Sequence, residues 1–484
     1  MSAKPIRPGA GRGRSPGESA ARRRAGSPTV ARLTAVRVLE RVERVRAYAD
    51  VALHHALAQS NMASPDRRLT TELVYGTLRW RGRLDFVLAS ALDRELTSIE
   101  PLVLTTLRMG VYQILFSDRI PDTAAVDEAV RCTRALGAER ATGLVNATLR
   151  RIARESGDLV FPTWQDDPQA HLEHALSVPS WIAQRWRADY GSAAIALAEA
   201  SNQPPPHTIR VNPRKSSRDA LLEALSDEFP EAHACTLASR GIVLGRRGDA
   251  GRDPLFREGL YTVQDEASQI VVDLLALEPD SRVLDVCAAP GTKTTAIAEE
   301  LSEAGSVLAL DRHAGRLRLV AQGARRLGLP GISTLVRDAT RSLADLPPAA
   351  GEPSNPGGPA FDRVLVDAPC SGLGALRRNP DARWRVRESD PAKLGGIQSK
   401  LLAQAARVVS PGGSLVYSTC TVLKEENEDV IERFLADRPD FQGVGPSSLP
   451  PALAEVTDPK GFIRCQPHIN DTDGFFAARL ERKN

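Results

Sequence analysis

The stretch Arg282 to Leu301, RVLDVCAAPGTKTTAIAEEL, carries the first residues whose types and spacing could do chemistry. Val283, Leu284 and Val286 form a short apolar run, the small residues from Cys287 to Gly291 interrupt it, and Thr292 to Leu301 resumes with helix formers. The pattern predicts a strand, a tight turn and a helix. Gly291 lets bare backbone approach a ligand, Ala288 and Ala289 add little bulk, and the helix aims its free N–H groups into the turn. A plain βα unit would share this outline. The glycine spacing is neither that of a dinucleotide fingerprint nor that of a P-loop, which argues against a nicotinamide-dependent oxidoreductase. A ligand without phosphate, such as S-adenosylmethionine, suits the turn, given a carboxylate for its ribose about 20 residues on. Asp311, directly after the apolar run SVLAL, fits that place.

The elements around this turn alternate strand and helix, which predicts a mainly parallel sheet with helices on both faces. A polar or reactive residue closes each predicted strand: Asp311, Asp338 after STLVR, Asp367 after FDRVLV, and Cys420 after GSLVYST. Ligand crevices of open α/β sheets lie beyond the strand C-termini, so these four should converge. For Asp338 the competing reading is a cap on the next helix.

Three stretches in order, DVCAAPGTKT, DAPCSGLGALRRNPDARWR from Asp367 and YSTCTVLKEENEDVIERFL from Tyr417, closely resemble bacterial RNA (cytosine-C5)-methyltransferases of the RsmB/Sun type. The resemblance spans residues 30 to 482. It implies methyl transfer from S-adenosyl-L-methionine to carbon 5 of a cytosine in small-subunit (16S) ribosomal RNA, through a covalent cysteine–C6 adduct. Carbon 5 is not nucleophilic enough unaided; a thiolate added at carbon 6 makes it so, and a base later removes the carbon 5 proton.

By the same resemblance, Cys420 is the nucleophile and Cys370, after Pro369, assists product release. DNA cytosine methyltransferases attack from a Pro-Cys cysteine, so the reversed assignment is the alternative. Two buried small hydrophobes are the purely structural one. The resemblance also implies that Asp367 binds the cytosine N3/N4 edge. Asp311 would hold the ribose hydroxyls and Asp338 the adenine amino group. Cys287, Ala288, Ala289, Pro290, Gly291, Thr292 and Lys293, together with Asp367, would line the cofactor. Thr292 departs from many relatives, which carry a second glycine there. Rival readings are a transfer-RNA methyltransferase and a non-catalytic NusB-like assembly factor.

Arg377, Arg378, Arg383, Arg385 and Arg387, interrupted by Trp384, form a basic cluster beside Cys370. Phosphate contacts plus a stacking indole are expected of it; a solvated loop with one packed Trp is the alternative. The whole chain, with 63 basic and 60 acidic side chains, is too nearly neutral to announce a nucleic-acid partner. Six cysteines without C-x-x-C spacing suggest reduced thiols in a cytoplasmic enzyme rather than a zinc site. His171 and His174 could share a helix face, but no third ligand is apparent, so no metal is expected. No apolar run is long enough to span a membrane.

At 484 residues, several domains are expected. Residues 1–28 read as a disordered basic tail in which Lys4, Arg7, Arg12, Arg14, Arg22, Arg23 and Arg24 outweigh Glu18. It would add salt-sensitive RNA contacts or merely solubilise. Residues 29–155 are helical almost throughout, and the resemblance implies an all-α NusB-like RNA-binding domain. Tyr75, Arg79, Tyr112 and Asn146 stand in its matching stretches, with core packing the preferred reading for Tyr112. Arg67, Arg68, Arg79, Arg81 and Arg83 are its electrostatic candidates. Residues 156–260 are implied to be a small α/β domain related to RNA-recognition folds, without evident base-stacking aromatics. Residues 261–484 would be a Rossmann-like class I SAM-dependent methyltransferase domain, and the protein is expected to act as a monomer.

Overall fold

A computed structural model describes residues 26–245, 251, 253–346 and 360–484, in two compact units divided between Val178 and Pro179. The arginines of the expected basic tail and most of the Pro/Gly-rich loop before Phe361 lie outside the described residues.

The first unit is helical as expected. The helix Pro101–Phe116 is its axis: it starts on a proline, which helix openings tolerate, and is buried from Val103 to Gln113 nearly all round. The helices Val30–Val45, Ser64–Arg79, Arg81–Ala91, Asp122–Ala135 and Thr142–Glu155 pack their apolar faces against it. Tyr112 belongs to this core, stacked on Phe116 at 5.4 Å, with burial raising its hydroxyl to about 12. Gly76 makes room for it, since a Cβ there would fall 2.1 Å from the Tyr112 ring. Tyr75 packs on the same core, and Asn146 and Arg79 are half-buried.

Two of the expected electrostatic candidates are corrected by this packing. Arg81 is paired with Glu43 through two 2.9 Å hydrogen bonds, and Arg83 lies 4.0 Å over the Phe161 ring. Both guanidinium groups are half-buried and engaged by contacts within the unit. Arg67 donates to Leu57 O at 2.8 Å, and Arg68 is exposed. His171 and His174 are packing residues: His171 Nδ1 is 2.8 Å from Pro162 O, and His174 stacks on Phe86 at 4.8 Å. Among the described residues no cluster of metal-ligating side chains occurs.

The second unit opens with the helices Ser180–Tyr190 and Ala193–Ser201; then β1 (Thr208–Val211), β2 (His233–Ala234), β3 (Gly241–Val243) and β4 (Tyr261–Val263) form an antiparallel sheet in the order β2-β3-β1-β4. The helix Arg218–Leu225 covers it with Leu221 and Leu225, and Ser217 caps that helix by accepting from Ala220 N at 3.2 Å. A larger sheet follows: β5 (Arg282–Asp285), β6 (Ser306–Asp311), β7 (Ile332–Val336), β8 (Phe361–Asp367), β9 (Val409–Thr419), β10 (Phe441–Gly443), β11 (Ile463–Cys465) and β12 (Phe475–Arg482). Its order is β10-β12-β9-β8-β5-β6-β7, with β11 on β12. The strands from β9 to β7 pair in parallel, while β12 runs antiparallel to β9, an addition that alternation of strand and helix did not predict. Successive residues point to opposite faces: Val283, Leu365 and Val416 enter one core, Leu284, Val364 and Leu415 the other.

Candidate active site

Parallel pairing brings the C-terminal ends of neighbouring strands together. β5 ends at Asp285, β6 at Asp311 and β8 at Asp367, while Cys420 follows the last residue of β9. β7 ends at Val336, so Asp338 stands two residues past its strand rather than at its end. It is exposed, accepts from Thr340 Oγ1 at 2.7 Å, and is held below the usual carboxylate range by those Thr340 hydrogen bonds. It borders an open cleft of about 570 Å³ lined also by Val336, Arg337 and Arg341. Asp311 is buried, accepting from His313 N at 2.8 Å with Arg316 Nη1 at 3.6 Å.

The turn after β5 needs its glycine. Gly291 has φ +107°, and a Cβ on it would lie 2.9 Å from Val320 Cα. Ala288 N donates to Leu310 O at 2.8 Å, and Arg316 donates to Ala289 O, so these parts of the turn are fixed from within. Gly291 caps the helix Thr292–Glu300, whose first N–H groups have no intrahelical acceptor. Burial raises the Cys287 thiol, helped by Asp285, Asp367 and Asp311, and keeps it protonated. Pro290 is exposed at the tip.

Three side chains here escaped the reading of the sequence. Asp285 is fully buried: Oδ2 accepts from Thr294 Oγ1 at 2.7 Å, and among the described residues Oδ1 has no partner. Its burial raises the carboxyl to about 7, against the Thr294 hydrogen bond and with the help of Asp367. Arg210, on β1, is the second. It meets Glu299 at 2.9 Å through both Nε and Nη2, and donates to Thr292 O at 2.7 Å. The smaller sheet thereby braces the first residue after Gly291. Glu426, the third, sits between the two cysteine loops. No local signal marks any of them; each has the composition of an ordinary strand or helix residue.

Lys293 is buried, with Nζ 2.7 Å from Asp367 Oδ2 and 4.9 Å from the centre of the Phe475 ring. Ser418 Oγ donates to the other Asp367 oxygen at 2.9 Å. Beside them the sulfur atoms of Cys370 and Cys420 are 3.4 Å apart, both half-buried. The contact with Cys420, burial and the nearby Glu426 together raise the Cys370 thiol well above its ordinary value. Gly374 N donates to Cys420 O at 2.9 Å, linking the two loops through the backbone.

Comparison with known proteins gives this arrangement its relatives. The family described as 16S rRNA methyltransferase RsmB/F matches residues 272–481, the NusB family residues 29–154, and the RsmF/B-like ferredoxin-like domain residues 178–250. The probable ribosomal RNA small subunit methyltransferase B of Bacillus subtilis (strain 168) is 36% identical, over 94% of this chain and 99% of that protein. The chain belongs to the RsmB/F family of 16S rRNA methyltransferases. Among solved structures, that of PH0851 has 27% identity and a TM-score of 0.78, covering 94% of this chain and 99% of its own. NSun6 from Pyrococcus horikoshii, solved with SFG, shares the fold at 22% identity and a TM-score of 0.54, over 63% of this chain and 98% of its own.

In this RsmB/F chain the basic cluster after Cys370 is not the phosphate surface that its charge suggested. Arg383 is 1% exposed, donating to Asn202 Oδ1 at 2.9 Å and Ser201 O at 3.2 Å. Arg377 is 5% exposed and reaches Pro204 O at 2.9 Å and Asp471 at 2.7 Å. Arg378 bonds Asp473 at 2.7 Å and also Asp265. Arg385 pairs with Asp381, and Trp384 is half-buried. Within the cluster Arg387 alone is exposed. Carboxylates and carbonyls distant in sequence have drawn Arg377, Arg378 and Arg383 inward, fastening the Cys370 loop to residues 201–206 and to the segment before β12.

Proposed function

We propose that this chain methylates carbon 5 of a cytosine in 16S ribosomal RNA, with S-adenosyl-L-methionine as methyl donor, Cys420 as nucleophile and Cys370 as the residue that frees the product. The observation that carries this reading is the pair of thiols, 3.4 Å apart, beside the Lys293–Asp367 ion pair. The cofactor fits the residues present. Gly291, at φ +107°, opens the helix Thr292–Glu300, whose first N–H groups have no intrahelical acceptor, and Asp311, buried at the end of the neighbouring strand β6, suits ribose hydroxyls. A fold relative is described with SFG, an analogue of that cofactor. Asp311 would hold the ribose, Asp338 the adenine end, and the residues from Cys287 to Lys293 the remainder.

When bound, the cofactor supplies an electrophilic methyl group. Cys420 Sγ, as thiolate, forms a bond to carbon 6, and the ring's C5–C6 electron pair becomes nucleophilic at carbon 5. Asp367, held between Lys293 and Ser418, takes the N3/N4 edge of the base and stabilises the charge that develops there. After methylation a base accepts the carbon 5 proton, the pair of that C–H bond restores the C5–C6 double bond, and the carbon–sulfur bond breaks with its pair left on the Cys420 sulfur. Cys370, kept as a thiol by its surroundings, gives a proton to the departing Cys420 sulfur.

On this reading the NusB-like helices bind the same RNA, Arg79 and Arg68 among their contacts, and the enzyme works as a cytoplasmic monomer. The test is incubation of the purified protein with 16S and transfer-RNA transcripts and the donor, followed by bisulfite sequencing. One protected cytosine in the 16S transcript is expected. Protection confined to transfer RNA would overturn the choice of substrate, and protection in neither would overturn the reaction.

A further inference from the structure

Glu426 and Asn427 are adjacent and both buried; Asn427 bonds the residues on either side of Cys420, and Glu426 bonds Ser371 after Cys370 as well as Thr421 after Cys420. Glu426 Oε2 accepts from Ser371 N at 2.9 Å, directly after Cys370, and from Gln398 Nε2 at 3.0 Å. The same Gln398 nitrogen donates to the carbonyl of Pro369, directly before Cys370, at 3.0 Å. Asn427 does the equivalent for Cys420. Its Oδ1 accepts from Thr419 Oγ1 at 2.5 Å, and its Nδ2 donates to Thr421 O at 3.1 Å. Ser371 Oγ and Thr421 Oγ1, 2.7 Å apart, join the two loops on their far side.

From this bracketing we infer that Glu426 and Asn427 are a pair of positioning residues with divided duties: Asn427 aims Cys420 for attack, and Glu426 aims Cys370 for release. Neither makes a hydrogen bond to a sulfur; each acts through the backbone and side chains flanking its cysteine. The two loops leave neighbouring strands, β8 and β9, whose parallel register sets Asp367 beside Ser418, and Gly374 N to Cys420 O links them again. Within that frame Glu426 and Asn427 set the final aim of each sulfur, because their buried, bonded side chains have few other places to go. The inference rests on the roles proposed above for the two cysteines.

The test separates the two steps. RNA carrying 5-fluorocytosine at the target measures adduct formation, since fluorine cannot leave as a proton does. Ordinary RNA, run on a denaturing gel, shows whether an adduct that formed is released. N427A and T419V should slow adduct formation about ten- to a hundredfold, the scale of loss when a reacting group moves by about 1 Å, with no build-up on ordinary RNA. E426Q and Q398L should form the adduct at close to the parent rate and release it slowly, so that the complex accumulates on ordinary RNA. T419V and Q398L each remove side-chain hydrogen bonds on one side of the site, and carry the test if N427A or E426Q fails to fold. C420A and C370A run alongside. If C420A abolishes the adduct and C370A accumulates it, yet both pairs of variants change both steps equally or change neither, the division of duties is wrong. If the two cysteine controls behave in reverse, the reading of the cysteines fails instead.

Discussion

Arg210 and Glu299 meet in the interior of the second unit, guanidinium to carboxylate through two 2.9 Å hydrogen bonds, with neither side chain exposed. The pair joins the smaller sheet to the helix that starts at Gly291. Arg240 approaches the same carboxylate at 3.0 Å, so Glu299 balances two cations.

Removing Arg210 leaves the buried Glu299 with Arg240 in place of two cations, its bidentate partner gone. R210M should therefore lower stability by about 3–5 kcal/mol, read by thermal or urea unfolding, and R210M/E299L by clearly less. Because Arg210 also holds Thr292 O, R210M at a permissive temperature should raise the KM for the methyl donor more than that for RNA. An equal change in both would show that the brace does not reach the cofactor turn.

Asp367 lies between a cation and a hydroxyl, and D367N would keep its shape without its charge. Turnover should fall about 10²–10³-fold, as when a group aimed at developing charge is lost. Donor binding, followed by calorimetry, should change far less. A variant that loses donor affinity and keeps its turnover would move Asp367 from the base to the cofactor.

Asp285 gives a pH signature. Burial raises its carboxyl from 3.8 to about 7, so the neutral form is the one the fold prefers. That preference favours the folded state fully at acidic pH, below about 4, and is lost as the pH rises through about 7. D285N stays neutral, so its stability relative to the parent should climb across that interval and level off above it. Melting temperatures of both proteins at several pH values check this; a constant difference would mean that Asp285 does not titrate there.

Gly374 has no room for a side chain: an added Cβ would meet Gly474 O at 1.9 Å and Cys420 O at 2.9 Å. G374A should shift the Cys420 loop and reduce methyl transfer about a hundredfold, while the donor still binds. Retention of full activity would show that the loop tolerates displacement.

The strand, turn and helix around Gly291 were legible because they are local: a few apolar residues, small residues and helix formers decide the conformation. The convergence of Asp311, Asp367 and Cys420 was legible because the parallel topology requires it. Glu426 was not, since its meaning lies in Ser371 and Gln398, brought near only by folding. The arginines after Cys370 were misread for the same reason. Spacing displays a charge, but not the partner that awaits it, and Asp265, Asp473 and Asn202 are each distant in the chain. Asp338 was expected as the closing residue of a strand that in fact stops at Val336.

β12 is hydrogen-bonded along β9, the strand that carries Cys420, and Gly474 just before it donates to Gly374 O at 2.8 Å. A chain cut before Phe475 would leave the Cys420 strand as a bare sheet edge with β8 as its one neighbour, so truncation there should cost the two thiols their alignment although no reacting group is removed.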